Sequence, residues 1–307
     1  MFFKDRPRRA VMPSMTVRLL PGISALCGDY DDFILDLWGV VHDGVTPYPG
    51  AVDCLRKLSE AGKGVVMLSN APRRAQTVIE RMAEMGIGRA LYDHVVSSGE
   101  LAYEALKLRD DPWHARLGRK CLHVGPARDT GILEGLDLEM VSTPEEAGFV
   151  LNTGPWRDEE RREDYDRVLE LCAGRGLAMV CANPDLEVIR GGKRIICAGT
   201  LAAHYETLGG DVYYHGKPHA PAYEACLALI GAAGEGDGPR VLVVGDTLRT
   251  DIAGAEAAGL DSVLVTSGIH AEELGLDFAE QPDPARLTEI CEREGHLPVA
   301  AIPTFIW

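Results

Sequence analysis

No two of the eight cysteines form a CxxC pair. Cys27, Cys54, Cys121, Cys172, Cys181, Cys197, Cys226 and Cys291 are dispersed singly, which argues against a disulfide framework or a zinc site and for the reduced, buried thiols of a cytoplasmic protein. Nor is there a dense run of Lys or Arg: 31 basic against 47 acidic side chains leave a net charge of −16. Nucleic-acid backbones are gripped by basic stripes, so no nucleic-acid partner is expected. No apolar stretch is long enough to span a bilayer, and no membrane partner is expected either. The opening MFFKDRPRRAVMPSM is basic without an apolar segment of signal-peptide length, and residues 1–18 are expected to form a flexible arm. Internal repeats and low-complexity tracts are absent as well.

What is present is ordinary globular composition, 46% hydrophobic and 25% charged over 307 residues, with length for two modest domains. Small molecules are the expected ligands. An acidic chain that binds an anionic one needs a local positive centre, whether lysine, arginine or a metal.

Apolar runs at 32–39, 64–70, 94–99, 120–125, 148–154, 177–183, 240–246 and 262–268 alternate with helical periodicity at 49–62, 72–86, 159–176 and 219–234. That alternation predicts an α/β fold with a doubly wound, Rossmann-like parallel sheet. About 170 residues separate LSNAP (68–72) from VGDTL (244–248), far more than one crossover needs, so an α/β cap domain is expected between them. The expected division is a core of 19–109 and 212–307 with a cap of 110–211. Its hinge candidates are the Gly/Pro/charge-rich stretches 109–119 and 209–218.

Four strand ends carry chemistry. DFILDLWG (32–39) ends in Asp36, and VLVVGDTLRTD (241–251) ends in Asp246 with Asp251 five residues on. Acids at parallel strand ends suit a hard divalent cation held by oxygens, although Asp246 reads equally as a helix cap and Asp251 as an exposed first-turn acid. LSNAPRR (68–74) places Ser69 and Asn70 before a helix expected from Pro72, an anion cradle or an ordinary cap. YHGKPHAPAY (214–223) holds Lys217 between Gly216 and Pro218, where it either neutralises a carboxylate and a phosphate or is simply solvated.

In this order the four motifs resemble the signature of the haloacid dehalogenase superfamily, mostly Mg²⁺-dependent phosphohydrolases with an aspartate nucleophile. The long insertion, with CANPDLEVIRGG (181–192), looks like that of the class IIA capped branch. The resemblance implies Asp36 as nucleophile and Ser69 on a phosphoryl oxygen. It implies Lys217 as the neutralising cation, and Asp36, Asp246 and the Trp38 carbonyl as Mg²⁺ ligands, with Asp251 supporting the metal. Gly39, Asn70 and Asn183 join Ser69 and Lys217 around a small phosphorylated metabolite, and a homodimer through the cap is a candidate assembly. Asn183 and Asp185 are either parts of one strand-end loop that faces the site or ordinary turn chemistry, and Arg73 and Arg190 are weaker anion contacts.

Trp38 departs from the family, whose phosphatases place there a second Asp that protonates the leaving group. An indole cannot do this. Three readings stay open. A phosphatase with altered acid/base chemistry would use His42, Asp43 or a stable leaving group. A regulatory protein would bind a phosphometabolite without turnover. A metal-independent haloacid dehalogenase would leave Asp246 and Asp251 unexplained. The apolar tail LPVAAIPTFIW (297–307) covers either the core or a neighbour.

Overall fold

In a computed structural model, which describes residues 17–190, 193–232 and 238–307, the first three apolar runs become β1 (Asp32–Leu35), β2 (Gly64–Ser69) and β3 (His94–Ser97). The inserted stretch holds β4 (Lys120–Val124), β5 (Glu139–Val141), β6 (Phe149–Asn152), β7 (Ala178–Cys181), the antiparallel hairpin β8 (Glu187–Arg190) and β9 (Lys193–Ile196), and β10 (Asp211–Tyr214). The chain then returns through β11 (Val241–Gly245), β12 (Asp261–Val265) and β13 (Ala300–Ile302).

Two parallel sheets result, ordered β13-β12-β11-β1-β2-β3 and β10-β7-β6-β4-β5. Each is buried on both faces, as strands covered by crossover helices must be. Along β1, Phe33 and Leu35 enter one apolar cluster and Ile34 the other, and β2 repeats the split with Val65 and Met67 against Val66 and Leu68. β6 and β7 divide likewise, Val150 and Met179 against Phe149, Leu151 and Val180. Burial on both faces explains why these strands read as unbroken apolar runs.

The strands that the sequence reading misses are short or mixed. β5 and β13 have three residues each, and β8 and β9 are half charged and half Val or Ile. β10 occupies the stretch 209–218 expected to be a hinge. The tail covers the core rather than a neighbour: β13 pairs with β12, and Phe305 is buried. The expected arm is corrected at its end. Residues 1–16 lie outside the described part, but Val17 is buried, and the Arg18 carbonyl accepts from Ala301 N–H at 2.8 Å.

The helix Ser98–Leu108 packs Ala102, Tyr103 and Leu106 into the second sheet's cluster, and β10 is that sheet's edge. We propose junctions just before Ser98 and just after Tyr214, in place of 109/110 and 211/212. Both lie beside the carboxyl ends of the core strands. Strand order reverses between β1 and β11, so the crevice at this edge is where an open α/β sheet seats its ligand. No helix among the described residues is long and apolar enough to cross a membrane.

Candidate active site

β1 pairs with β2 and β11 in register, Leu35 lying opposite both Met67 and Val244. Three strand ends therefore fall side by side, and the residues just beyond them share one edge. Asp36 follows β1, its N–H donating to the Val244 carbonyl at 2.9 Å. Ser69 closes β2, and Asp246 follows β11. Beyond Asp246 the chain makes a wide π-helical turn, Leu248–Ile252, that brings Asp251 back to the strand end. There Asp251 is 1% exposed and its Oδ2 accepts from Thr247 N–H at 3.2 Å. Neither acid is the surface cap that the sequence also allowed. Asp246 accepts from the Thr247 hydroxyl at 2.9 Å and from Ile269 N–H at 2.8 Å.

Lys217, 2% exposed, joins the cluster from the far side. Its Nζ donates to Asp36 Oδ1 at 2.5 Å and to Asp251 Oδ1 at 2.7 Å. Asp36, Asp246 and Asp251 each offer a carboxylate oxygen within 4.8 Å of the other two. Burial pushes the Asp36 carboxyl well above its usual range against the pull of Lys217, and Asp251 and Asp246 add to the rise. Burial and then Asp251 push Asp246 up to about 7. Burial opposes the charge on Lys217, yet Asp251, Asp36 and Asp185 together hold it well above the ordinary lysine range. Three buried carboxylates thus face one ammonium. A divalent cation offsets that excess of two charges, and an all-oxygen donor set suits Mg²⁺.

Asn70 explains how Lys217 is aimed. Its Oδ1 accepts from Lys217 N–H at 2.8 Å, and its Nδ2 donates to the Lys217 carbonyl at 3.1 Å and to Asp185 Oδ1 at 2.8 Å. The side chain expected on substrate is thereby committed to the lysine's backbone and to the cap. Gly39 also lines the crevice. Its N–H donates to the His42 carbonyl at 3.1 Å, and what it supplies is room: at φ +84°, a Cβ there would stand 2.1 Å from Asp246 Oδ2. Asn183 accepts from Asp185 N–H at 3.0 Å, shaping the turn that carries Asp185 to Asn70. Ser69 Oγ accepts from Ala71 N–H at 3.2 Å, which leaves its own hydrogen to donate. The helix expected from Pro72 begins only at Ala75, so its N-terminus is not part of a cradle at Ser69.

The Trp38 side chain turns toward the cap. Its indole N–H donates to the Ile189 carbonyl of β8 at 2.9 Å, and the Arg190 guanidinium lies 5.4 Å from the ring centroid. His42 packs edge-on against the ring, and its Nδ1 accepts from Gly44 N–H at 3.0 Å. Asp43 accepts from the N–H groups of Val45 and Thr46. Neither lines the crevice, which counts against both as substitutes for the missing acid.

The crevice between the sheets has a volume of about 780 Å³. Asp36, Trp38, Gly39, Ser69, Asn70, Asn183, Lys217, Asp246 and Asp251 all line it. Arg73 and Arg190 line it too, each paired with an acid. Those acids, Asp129 and Asp158, are missed by sequence reading, as are Arg128 and the Ile189 carbonyl. Arg128 and Asp129 follow the end of β4, and Asp158 the end of β6, where the strand-end argument points, but Ile189 carries no local signal.

A family model for haloacid dehalogenase-like hydrolases matches residues 33–139, and a second, HAD-hydrolase-like model matches residues 214–290. Chronophin from Bos taurus is 30% identical over 78% of this chain and 82% of its own. D-glycerol 3-phosphate phosphatase from Mycobacterium tuberculosis is 30% identical over 81% of this chain, which spans 66% of that relative's length. The structure of a glycerol phosphate phosphatase from that species in complex with magnesium superposes with a TM-score of 0.59 at 27% identity, covering 85% of this chain and 77% of that one. A haloacid dehalogenase-like hydrolase from Brucella suis 1330 gives a TM-score of 0.79 at 33% identity, covering 94% of this chain and all of that one.

Proposed function

The chain belongs to the haloacid dehalogenase-like hydrolases, in their capped class IIA branch, and from that premise we propose that it is a Mg²⁺-dependent phosphoric monoester hydrolase acting on a small phosphorylated metabolite. The observation that carries the reading is the buried Lys217 ammonium held between Asp36 and Asp251, with Asp246 in the same cluster.

In this reading a carboxylate oxygen of Asp36 bonds to phosphorus as the ester P–O bond breaks, giving an aspartyl-phosphate and an alkoxide or aryloxide. Water then attacks that phosphorus, the aspartyl bond opens, and inorganic phosphate leaves. Lys217 neutralises Asp36 and a phosphoryl oxygen, and Ser69 donates its free hydroxyl hydrogen to another. Asn70 acts through Lys217, whose backbone it holds. Asp36, Asp246 and the Trp38 carbonyl would hold Mg²⁺, supported by Asp251. When bound, the ion supplies positive charge against the phosphoryl oxygens. Position 38 supplies no proton, so the leaving group must depart on its own stability or take its proton from water.

The test is phosphate release from a panel of esters at several Mg²⁺ concentrations, by the parent protein and by Asp36→Asn. Metal-dependent release that falls by about 10³-fold or more in the variant is the expected result. Micromolar binding of a phosphate ester without release would favour the second reading, a binding protein, which Trp38 in the acid's place supports. A cytoplasmic location belongs to the proposal, supported by eight free, buried cysteines. A homodimer through the cap belongs to it as well, and light scattering checks that.

A further inference from the structure

Five charged side chains of the crevice, four from the cap and Arg73 from the loop after β2, take no part in the chemistry above. Arg128 and Arg190 grip one carboxylate between them: Arg128 Nη2 donates to Asp158 Oδ1 and Arg190 Nη1 to Asp158 Oδ2, each at 2.9 Å. Arg73 Nε donates to Asp129 Oδ1 at 2.7 Å. All five line the crevice that holds Asp36 and Lys217. Three guanidiniums against two carboxylates leave one positive charge, in a chain whose net charge is −16. Each guanidinium has five N–H donors, and among the described residues each of these three makes a single hydrogen bond.

Trp38 ties this cluster to the reaction centre. Its indole N–H holds the Ile189 carbonyl at 2.9 Å, and the next residue, Arg190, lies over its ring. The residue two places from Asp36 thereby fixes the hairpin that carries Arg190, and the cationic group stands one indole's breadth from the loop of the nucleophile.

Resting on the phosphatase reading, we propose that Arg190, Arg128 and Arg73 form a second anion subsite that takes a carboxylate on the substrate at the end away from its phosphate, with Trp38 positioning Arg190. A single carboxylate balances the one excess charge and fits the planar guanidinium fork with two parallel bonds. A second phosphate would overcompensate. In this arrangement the tryptophan serves recognition of the leaving group, in the place where relatives of the resemblance protonate it.

The test uses a matched pair of esters, 3-phosphoglycerate and glycerol 3-phosphate, which share the phosphate end and differ by a carboxylate against a hydroxymethyl group. Their dissociation constants are measured by calorimetry with Mg²⁺ at low salt on Asp36→Asn, which makes the readout independent of turnover. Release from 4-nitrophenyl phosphate by the parent protein is followed in parallel. The carboxylate ester is expected to bind about tenfold tighter or more, the strength of a charge-assisted pair. Adding Arg190→Met or Arg128→Met takes the ratio toward one, Arg190→Lys keeps part of it, and Trp38→Phe reduces it by loosening the hairpin. Equal affinities, or a ratio untouched by both Met variants in protein with a native circular dichroism spectrum, overturn the subsite. Release from 4-nitrophenyl phosphate without the preference sinks the subsite and spares the hydrolase. The preference without release does the reverse.

Discussion

Lys217 shows how closely charge balance governs this site. Its ammonium is buried against Asp36 and Asp251, so removing it leaves acids facing one another away from water. Lys217→Met is expected to abolish phosphate release and to cost about 3–5 kcal/mol in urea unfolding at pH 7, the penalty for breaking a buried ion pair from one side. A stability change under 1 kcal/mol would mean that water reaches the cluster. Position 38 governs a different property. General acid help is worth about 10² to 10⁴ in rate, and neither Trp38 nor His42 can supply it from where they lie. Across a series of aryl and alkyl phosphates, kcat should therefore fall steeply as the leaving group becomes more basic. A flat series would reveal a proton donor that the geometry does not identify.

Among the elements, β10 carries a titration signature. His215 follows it directly, 6% exposed, with its N–H on the Cys181 carbonyl of β7 and its Nε2 at 3.1 Å from His114 Nε2. Burial depresses its pKa to about 3, with the neighbouring His114 adding to the fall. A histidine ordinarily titrates near 6.5, so below that pH the unfolded chain takes up a proton that the native protein refuses. This contribution to stability is complete above about pH 6.5 and drains away as pH falls toward 3. Urea unfolding at fixed Mg²⁺ between pH 4.5 and 6 should show it. His215→Gln is expected to flatten the dependence by about 1.4 kcal/mol per pH unit relative to the parent. Parallel slopes would place water beside the ring.

For the whole molecule, the metal links folding to chemistry. The acids come from segments far apart in the chain, and the unfolded chain cannot gather them. Any ion they hold stabilises the native state, by about 2.7 kcal/mol when its concentration is a hundredfold above Kd. Thermal unfolding in excess Mg²⁺ should run several degrees above the same protein in chelator, and Asp246→Asn should remove most of that difference. An equal shift in the variant would put the ion elsewhere.

The amino-acid order by itself determined five of the six core strands, the edge on which their ends meet, and the acids gathered there. Those features are local: an apolar run flanked by turns makes a strand, and parallel strands in register align whatever follows them. It did not determine where the Trp38 indole points, that Asn70 spends its amide on Lys217, that Ser98–Leu108 packs with the inserted sheet, or that β13 closes the core. Each of these joins positions far apart, 38 with 189, 70 with 217, 102 with 149, 300 with 263. Tertiary packing alone brings such positions into contact, and periodicity along a chain holds no record of it.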